Sequence, residues 1–205
     1  HPSTGFVEAV SDKDSKNGLI LMGIEAVLTG LYLYVLLQKI VSATMSGINS
    51  VFGTSRMAAQ TPSLGGFFGY GIIIAIIVSL VIATLVMGLM KAMAEADINW
   101  FQSCQIAGMR SLGLSLGWIL GILGLFLGMY QFAILIIVVG GVLGMIYMIV
   151  AMMSYPNTKK DMIAYVVLIT ILVTTFISYF VLKEFVLSSL INNGGSTTNF
   201  LNNIL

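Results

Sequence analysis

The chain has 205 residues, of which 58% are apolar and 8% charged, with a mean hydropathy of +1.02. A domain solvated on all sides carries about 25% charged residues, so this composition argues against a water-soluble fold and places the chain in a bilayer. Nine basic residues against eight acidic ones leave no positive field for nucleic acid, and one cysteine, Cys104, allows neither an intrachain disulfide nor a cysteine metal cluster.

The pattern predicts an all-α integral membrane protein: a bundle of five transmembrane helices with short interfacial helices. Residues 1–17 mix Phe6, Val7 and Val10 with Glu8, Asp12, Lys13, Asp14 and Lys16, which suits a cytoplasmic segment lying in the headgroups. A membrane domain follows over 18–190. Crossing the hydrocarbon takes about 20 apolar residues with every backbone polar group satisfied internally. Five runs qualify, at about 18–41, 68–90, 109–128, 132–153 and 162–187. The first is too long for a secretory signal.

Residues 42–66 are polar and rich in Gly and Ser, and read as an external loop. Residues 94–108 read as a second surface segment, where Asn99 and Gln102 have capping-box spacing and Trp100 and Phe101 serve as interfacial anchors. Gly128-Met-Tyr-Gln-Phe132 supplies a tight turn between the third and fourth spans. After the fifth span, Asn192-Asn193-Gly194-Gly195 breaks the helix and leaves 191–205 as an external polar tail.

Basic residues in short loops stay in the cytoplasm. Lys13, Lys16, Lys91, Arg110, Lys159 and Lys160 fall on one side, and Lys39, Arg56 and Lys183 on the other. That bias puts the N-terminus in the cytoplasm and the C-terminus outside.

No residue set amounts to a catalytic site, and neither a cofactor nor a metal site is expected. Glu25 is the one acid well inside a span, on a stripe with Gly18, Met22, Thr29 and Tyr32. Glu25, Thr29 and Tyr32 form the candidate intramembrane polar site, since an ionisable residue at that depth is functional by default. With no basic partner expected for it in any span, the carboxyl is expected to be protonated or bonded to a Tyr or Thr hydroxyl of another helix, and it serves packing or transport. Glu95 and Asp97 sit with Lys91 and Arg110 at the cytoplasmic surface, as solvated ion pairs or, less simply, as a carboxylate pair for a cation or for acid-base work. Gly113, Gly117, Gly121, Gly124 and Gly128 fall within about 80° on one helix face. Gly140 and Gly144 repeat the four-residue spacing in the fourth span, which makes these two spans partners; contact between two chains is the alternative. Thr170, Thr174 and Ser178 recur every four residues and are expected to bond helix carbonyls.

Pro2 and Phe6 ahead of five spans, the Asn99-Trp100-Phe101 surface segment and the glycine-rich third and fourth spans together resemble the Yip1 family, in particular its bacterial members. Members often carry a proline where this chain reads Ser111-Leu112-Gly113-Leu114. The resemblance implies a five-helix protein of a bacterial plasma membrane with no established activity. The reading is therefore of a non-enzymatic protein acting by association with lipid, with a membrane-protein partner or with itself as a homo-oligomer. The alternatives are a small transporter or channel subunit using Glu25, and a lipid enzyme at Glu95 and Asp97.

Overall fold

Long apolar stretches free of internal proline form helices because the α-helix alone satisfies each backbone donor and acceptor within its own segment. The computed structural model describes residues 15–52, 65–156 and 158–202, and among them the regular structure is all helical. The helices are α1 (Asn17–Phe52), α2 (Gly65–Ala92), α3 (Trp100–Phe126), α4 (Tyr130–Met153) and α5 (Lys160–Asn202). Each contains a segment long and apolar enough to cross a membrane: Asn17–Ala43, Gly65–Ala92, Trp100–Phe126, Tyr130–Met153 and Lys160–Phe180.

Three boundaries differ from expectation. Asn99 does cap a helix, accepting from the Gln102 N–H at 2.8 Å while Gln102 Oε1 accepts from the Asn99 N–H at 3.0 Å. That helix is not a separate surface element, however; it runs unbroken into α3. Gln102, Ser103 and Gln105 made 100–108 look too polar to cross, but all three are buried against the protein. Trp100 packs on the core and Phe101 is exposed. Secondly, α1 continues to Phe52 through part of the expected loop. Thirdly, α5 runs through Asn192-Asn193-Gly194-Gly195 to Asn202: Asn and Gly lower helix propensity, but they end a helix only where the chain turns left-handed. The expected interfacial segment falls largely on residues 1–14, and residues 53–64 of the expected loop also lie outside the described residues.

The packing is organised by glycine. A Cβ at Gly113 would overlap the backbone of Gly144, and one at Gly140 would come within 2.7 Å of Gly117 Cα. Lower on the same face, Gly121 meets the Ile137 side chain and Gly124 meets Phe132 and Ala133. Thus α3 and α4 lie backbone to backbone. Two further crossings use glycines that the sequence pattern did not single out as contacts. Gly18 lies against Cys104 and Gly108, joining α1 to α3, and Gly30 lies against Gly71, joining α1 to α2.

Gly128 does not belong to the packing face. It adopts φ +75° and a Cβ there would meet nothing within 4 Å. The Met129 N–H bonds the Gly124 carbonyl at 2.8 Å and the Gly128 N–H bonds that of Leu125 at 3.2 Å, so α3 ends in a Schellman turn. Its left-handed position needs glycine.

Two apolar clusters result. One gathers Met22, Val86, Met90, Ile106, Met152, Ile163 and their neighbours; the other gathers Tyr32, Val35, Ile122, Leu125 and Ala133. Along α1 and along α3, Glu25 and Arg110 fall between them.

These contacts predict a graded glycine series. Gly117→Leu should lower the melting temperature sharply or prevent folding, since overpacking costs about 1 to 3 kcal/mol and more when backbone is the obstacle. Gly128→Ala should cost about 1 to 2 kcal/mol through the left-handed backbone. Gly141→Ala, whose Cβ would sit 3.8 Å from Leu114 Cδ2, should melt like the wild type.

Candidate functional site

Glu25 lies eight residues, about 12 Å, from the start of α1, and Arg110 ten residues, about 15 Å, from the start of α3. Ser79 stands halfway along α2, and Ser111 follows Arg110. The Gly18 crossing brings α1 and α3 close enough for these side chains to meet. Arg110 Nη2 donates to Glu25 Oε1 at 3.1 Å and to Oε2 at 3.3 Å. Ser79 Oγ donates to Oε2 at 3.3 Å and accepts from Arg110 Nη2 at 3.3 Å, while Ser111 Oγ also donates to Oε2. Glu25 is 5% exposed and Arg110 7%.

This corrects the expectation that Glu25 lacks a basic partner. Arg110 is not at the surface with Glu95 and Asp97; it is buried one helical element away from them, and the hydroxyls around Glu25 belong to serines rather than to Tyr or Thr. Drawing the third span from residue 109 put Arg110 at its very edge. The missed signal was that α3 begins at the Asn99 cap, which moves Arg110 well inside the helix.

The other two members of the candidate site play different parts. Thr29 Oγ1 bonds the main-chain carbonyl of Glu25 at 2.8 Å rather than the carboxylate. Tyr32 packs against Trp118 with ring centroids 4.8 Å apart and the rings tilted by 49°, in the second apolar cluster. Ser115 Oγ and Trp118 Nε1, on the same side of α3 as Ser111, are buried without a hydrogen-bond partner. In α5, Thr170 Oγ1 bonds the Val166 carbonyl at 2.7 Å as expected, but Thr174 Oγ1 is buried without a partner and does not bond a helix carbonyl.

Glu95 and Asp97 lie in the α2–α3 connection and do not act as a pair. Glu95 forms an exposed ion pair with Lys159 and has φ +53°, which lets the Ala96 N–H return to the Met90 carbonyl at 3.1 Å. Asp97 contributes its main-chain carbonyl, 2.6 Å from the Tyr155 hydroxyl, which is also 3.0 Å from Gln102 Oε1. With Lys159 N–H bonded to the Ala94 carbonyl, these contacts lock the α2–α3 connection onto the α4–α5 connection. Among the described residues no three His, Cys, Asp or Glu side chains stand close enough to share a metal ion. No family model matches the chain, and neither a curated protein nor a solved structure matches it.

The polar cluster predicts a thermodynamic cycle. Glu25→Leu and Arg110→Met each strand a buried charge and should cost about 3 to 5 kcal/mol, whereas the two combined should cost clearly less than the sum. Additive losses in thermal denaturation would mean that the two residues do not act as a pair. Glu25→Gln keeps the shape but leaves Arg110 without a counter-charge, so its loss should fall between wild type and Glu25→Leu.

The second prediction concerns alkaline pH. Burial first, and the Asp97 charge second, push the Tyr155 hydroxyl above its ordinary value of 10.0, with the Gln102 hydrogen bond opposing them. A folded value above the unfolded one means that the stabilisation is complete below pH 10 and is lost as pH climbs through the raised value. Tyr155→Phe should cost about 1 kcal/mol at neutral pH. Its melting temperature should also fall less steeply than the wild type's above that range.

Proposed function

We propose that the chain is a non-enzymatic integral membrane protein, Yip1-like in its order of spans, that works by associating with a membrane protein, with a second copy of itself or with lipid. The observation that carries this reading is the closure of the polar cluster. Both Glu25 carboxylate oxygens are engaged by Arg110, Ser79 and Ser111 of the same chain, which fits a clasp better than a reaction centre. Around it the outward helix faces are aliphatic: Ile20 and Val27 on α1, Ile73 and Ile77 on α2, Leu123 on α3, Val142 on α4 and Leu172 on α5 are all exposed. Such faces suit lipid tails or a partner helix.

The proposed orientation keeps the N-terminus in the cytoplasm of a bacterial-type plasma membrane. With Arg110 removed from the loop count, Lys13, Lys16, Lys91, Lys159 and Lys160 still outnumber Lys39, Arg56 and Lys183. A second reading, a small transporter using Glu25, draws on the unpartnered Ser115 Oγ and Trp118 Nε1, about one and two turns beyond Ser111 on α3, since buried polar atoms without partners mark places for water or a passing ion.

After alkaline carbonate washing the chain should stay in the membrane pellet, and a cysteine placed at Asn199 should react with an impermeant reagent only from outside. Labelling from the cytoplasm would overturn the orientation. Cross-linking in native membranes should yield a discrete complex; a chain that stays monomeric there, together with a proton or cation flux in liposomes abolished by Glu25→Gln, would favour transport.

A further inference from the structure

Where α4 and α5 separate, two grooves open sideways. The first, of about 480 Å³, runs from Lys160 and Asp161 at the start of α5 past Ala164 and Leu168 to Ile171, with Ile149 and Met153 of α4 on its other bank. The second, of about 520 Å³, continues along Ile146, Val142 and Val138 of α4 over a floor of Arg110 and Leu114. Both include Ile149 and Ile171, so they form one trough. Among the described residues, the acidic and basic side chains that line it besides the clasped Arg110 are Lys160 and Asp161. Lys159 turns away from it to pair with Glu95.

We infer that this trough holds one phospholipid with an amine-bearing headgroup, of the phosphatidylethanolamine class, its acyl chain lying between α4 and α5; this rests on the membrane reading above. Length is the first argument. From Lys160 to Ile171 is eleven helical steps, about 16 Å, against about 15 Å for the hydrocarbon of one leaflet. A chain anchored at Lys160 therefore ends near the Arg110 floor, where only its terminal carbons meet the clasp. Charge is the second argument. Lys160 complements the lipid phosphate, and Asp161 beside it complements a primary ammonium, which donates hydrogen bonds to a carboxylate as a choline cannot. An anionic glycerol headgroup satisfies Lys160 but meets repulsion from Asp161.

The test offers the full-length protein, purified from membranes in mild detergent, an equimolar mixture of dioleoyl phosphatidylethanolamine, phosphatidylcholine and phosphatidylglycerol, and reads bound lipid by native mass spectrometry. The expected result is one retained phosphatidylethanolamine, favoured about fivefold or more over the other two, as one charge-assisted hydrogen bond implies. Asp161→Asn, at an exposed position, should abolish that preference. Ala164→Trp, which fills the first groove near Lys160, and Ile171→Trp, which fills the junction of the two grooves, should strip the lipid while the melting temperature in detergent stays within a few degrees. Equal retention of the three lipids by the wild type, or undiminished retention in both tryptophan variants, overturns the inference. Carbonate washing separates this failure from that of the membrane reading: a pelleted chain with no lipid preference sinks only the lipid site, and a chain washed off sinks both.

Discussion

A carboxylate and a guanidinium facing each other between helices set the terms for the rest of this structure. Each charge taken alone away from water carries a desolvation cost of several kcal/mol, which mutual attraction offsets only at good geometry and with the remaining lone pairs satisfied. Ser79 and Ser111 complete the bonding of the carboxylate, while Arg110 Nε stays buried without a partner, and the Glu25–Arg110 pair holds α1, α2 and α3 relative to one another. Apolar packing alone would tolerate a helix rotated or slid by a residue. A paired charge would not, because the slip leaves an ion unmatched.

The glycine crossings are what allow so short a side-chain geometry. Gly18 against Gly108 brings α1 within reach of α3, and Gly30 against Gly71 does the same for α1 and α2. The close contact of α3 with α4 runs through Gly113, Gly117, Gly140 and Gly144, and Arg110 belongs to it, since Gly144 lies against its carbonyl and Cγ. One helix thus presents Gly108 and Ser111 toward α1 and bare glycine backbone toward α4, with Arg110 backed by Gly144 while its guanidinium reaches Glu25. Lipid tails are as apolar as leucine, so close van der Waals contact and internal polar bonds are the forces left to hold such helices together. Both are concentrated on α3.

Sequence patterning made the five apolar runs, the tight turn at Gly128 and the Asn99 cap readable, since each depends on residues near one another in the chain. The Glu25–Arg110 pair was not readable, because hydropathy treats Gln102, Ser103 and Gln105 as signs of water when they face other helices. That misplacement made Arg110 a surface residue and left Glu25 without a partner. The crossings at Gly30, Gly71 and Gly108, and the partner of Gly18 on the Glu25 stripe, were not readable for a related reason: each is a single point of crossing, without the four-residue repeat that marked α3. The far ends of α1 and α5 ran past their predicted stops because Gly, Ser and Asn permit a turn without imposing one.

The Schellman turn at Gly128 also bears on how such a chain is made. Only Leu127, Gly128 and Met129 separate α3 from α4, and none of them is charged. A translocating ribosome product inserted as proposed could therefore pass α3 and α4 into the bilayer as one folded-over pair, with almost no polar chain to carry across. The order of synthesis helps as well: α1 and α2 emerge first, so Glu25 and Ser79 are already in place when Arg110 arrives. On the proposed insertion, Arg110 would enter with its counter-ion already in the bundle, and the neutral hairpin that follows would close behind it.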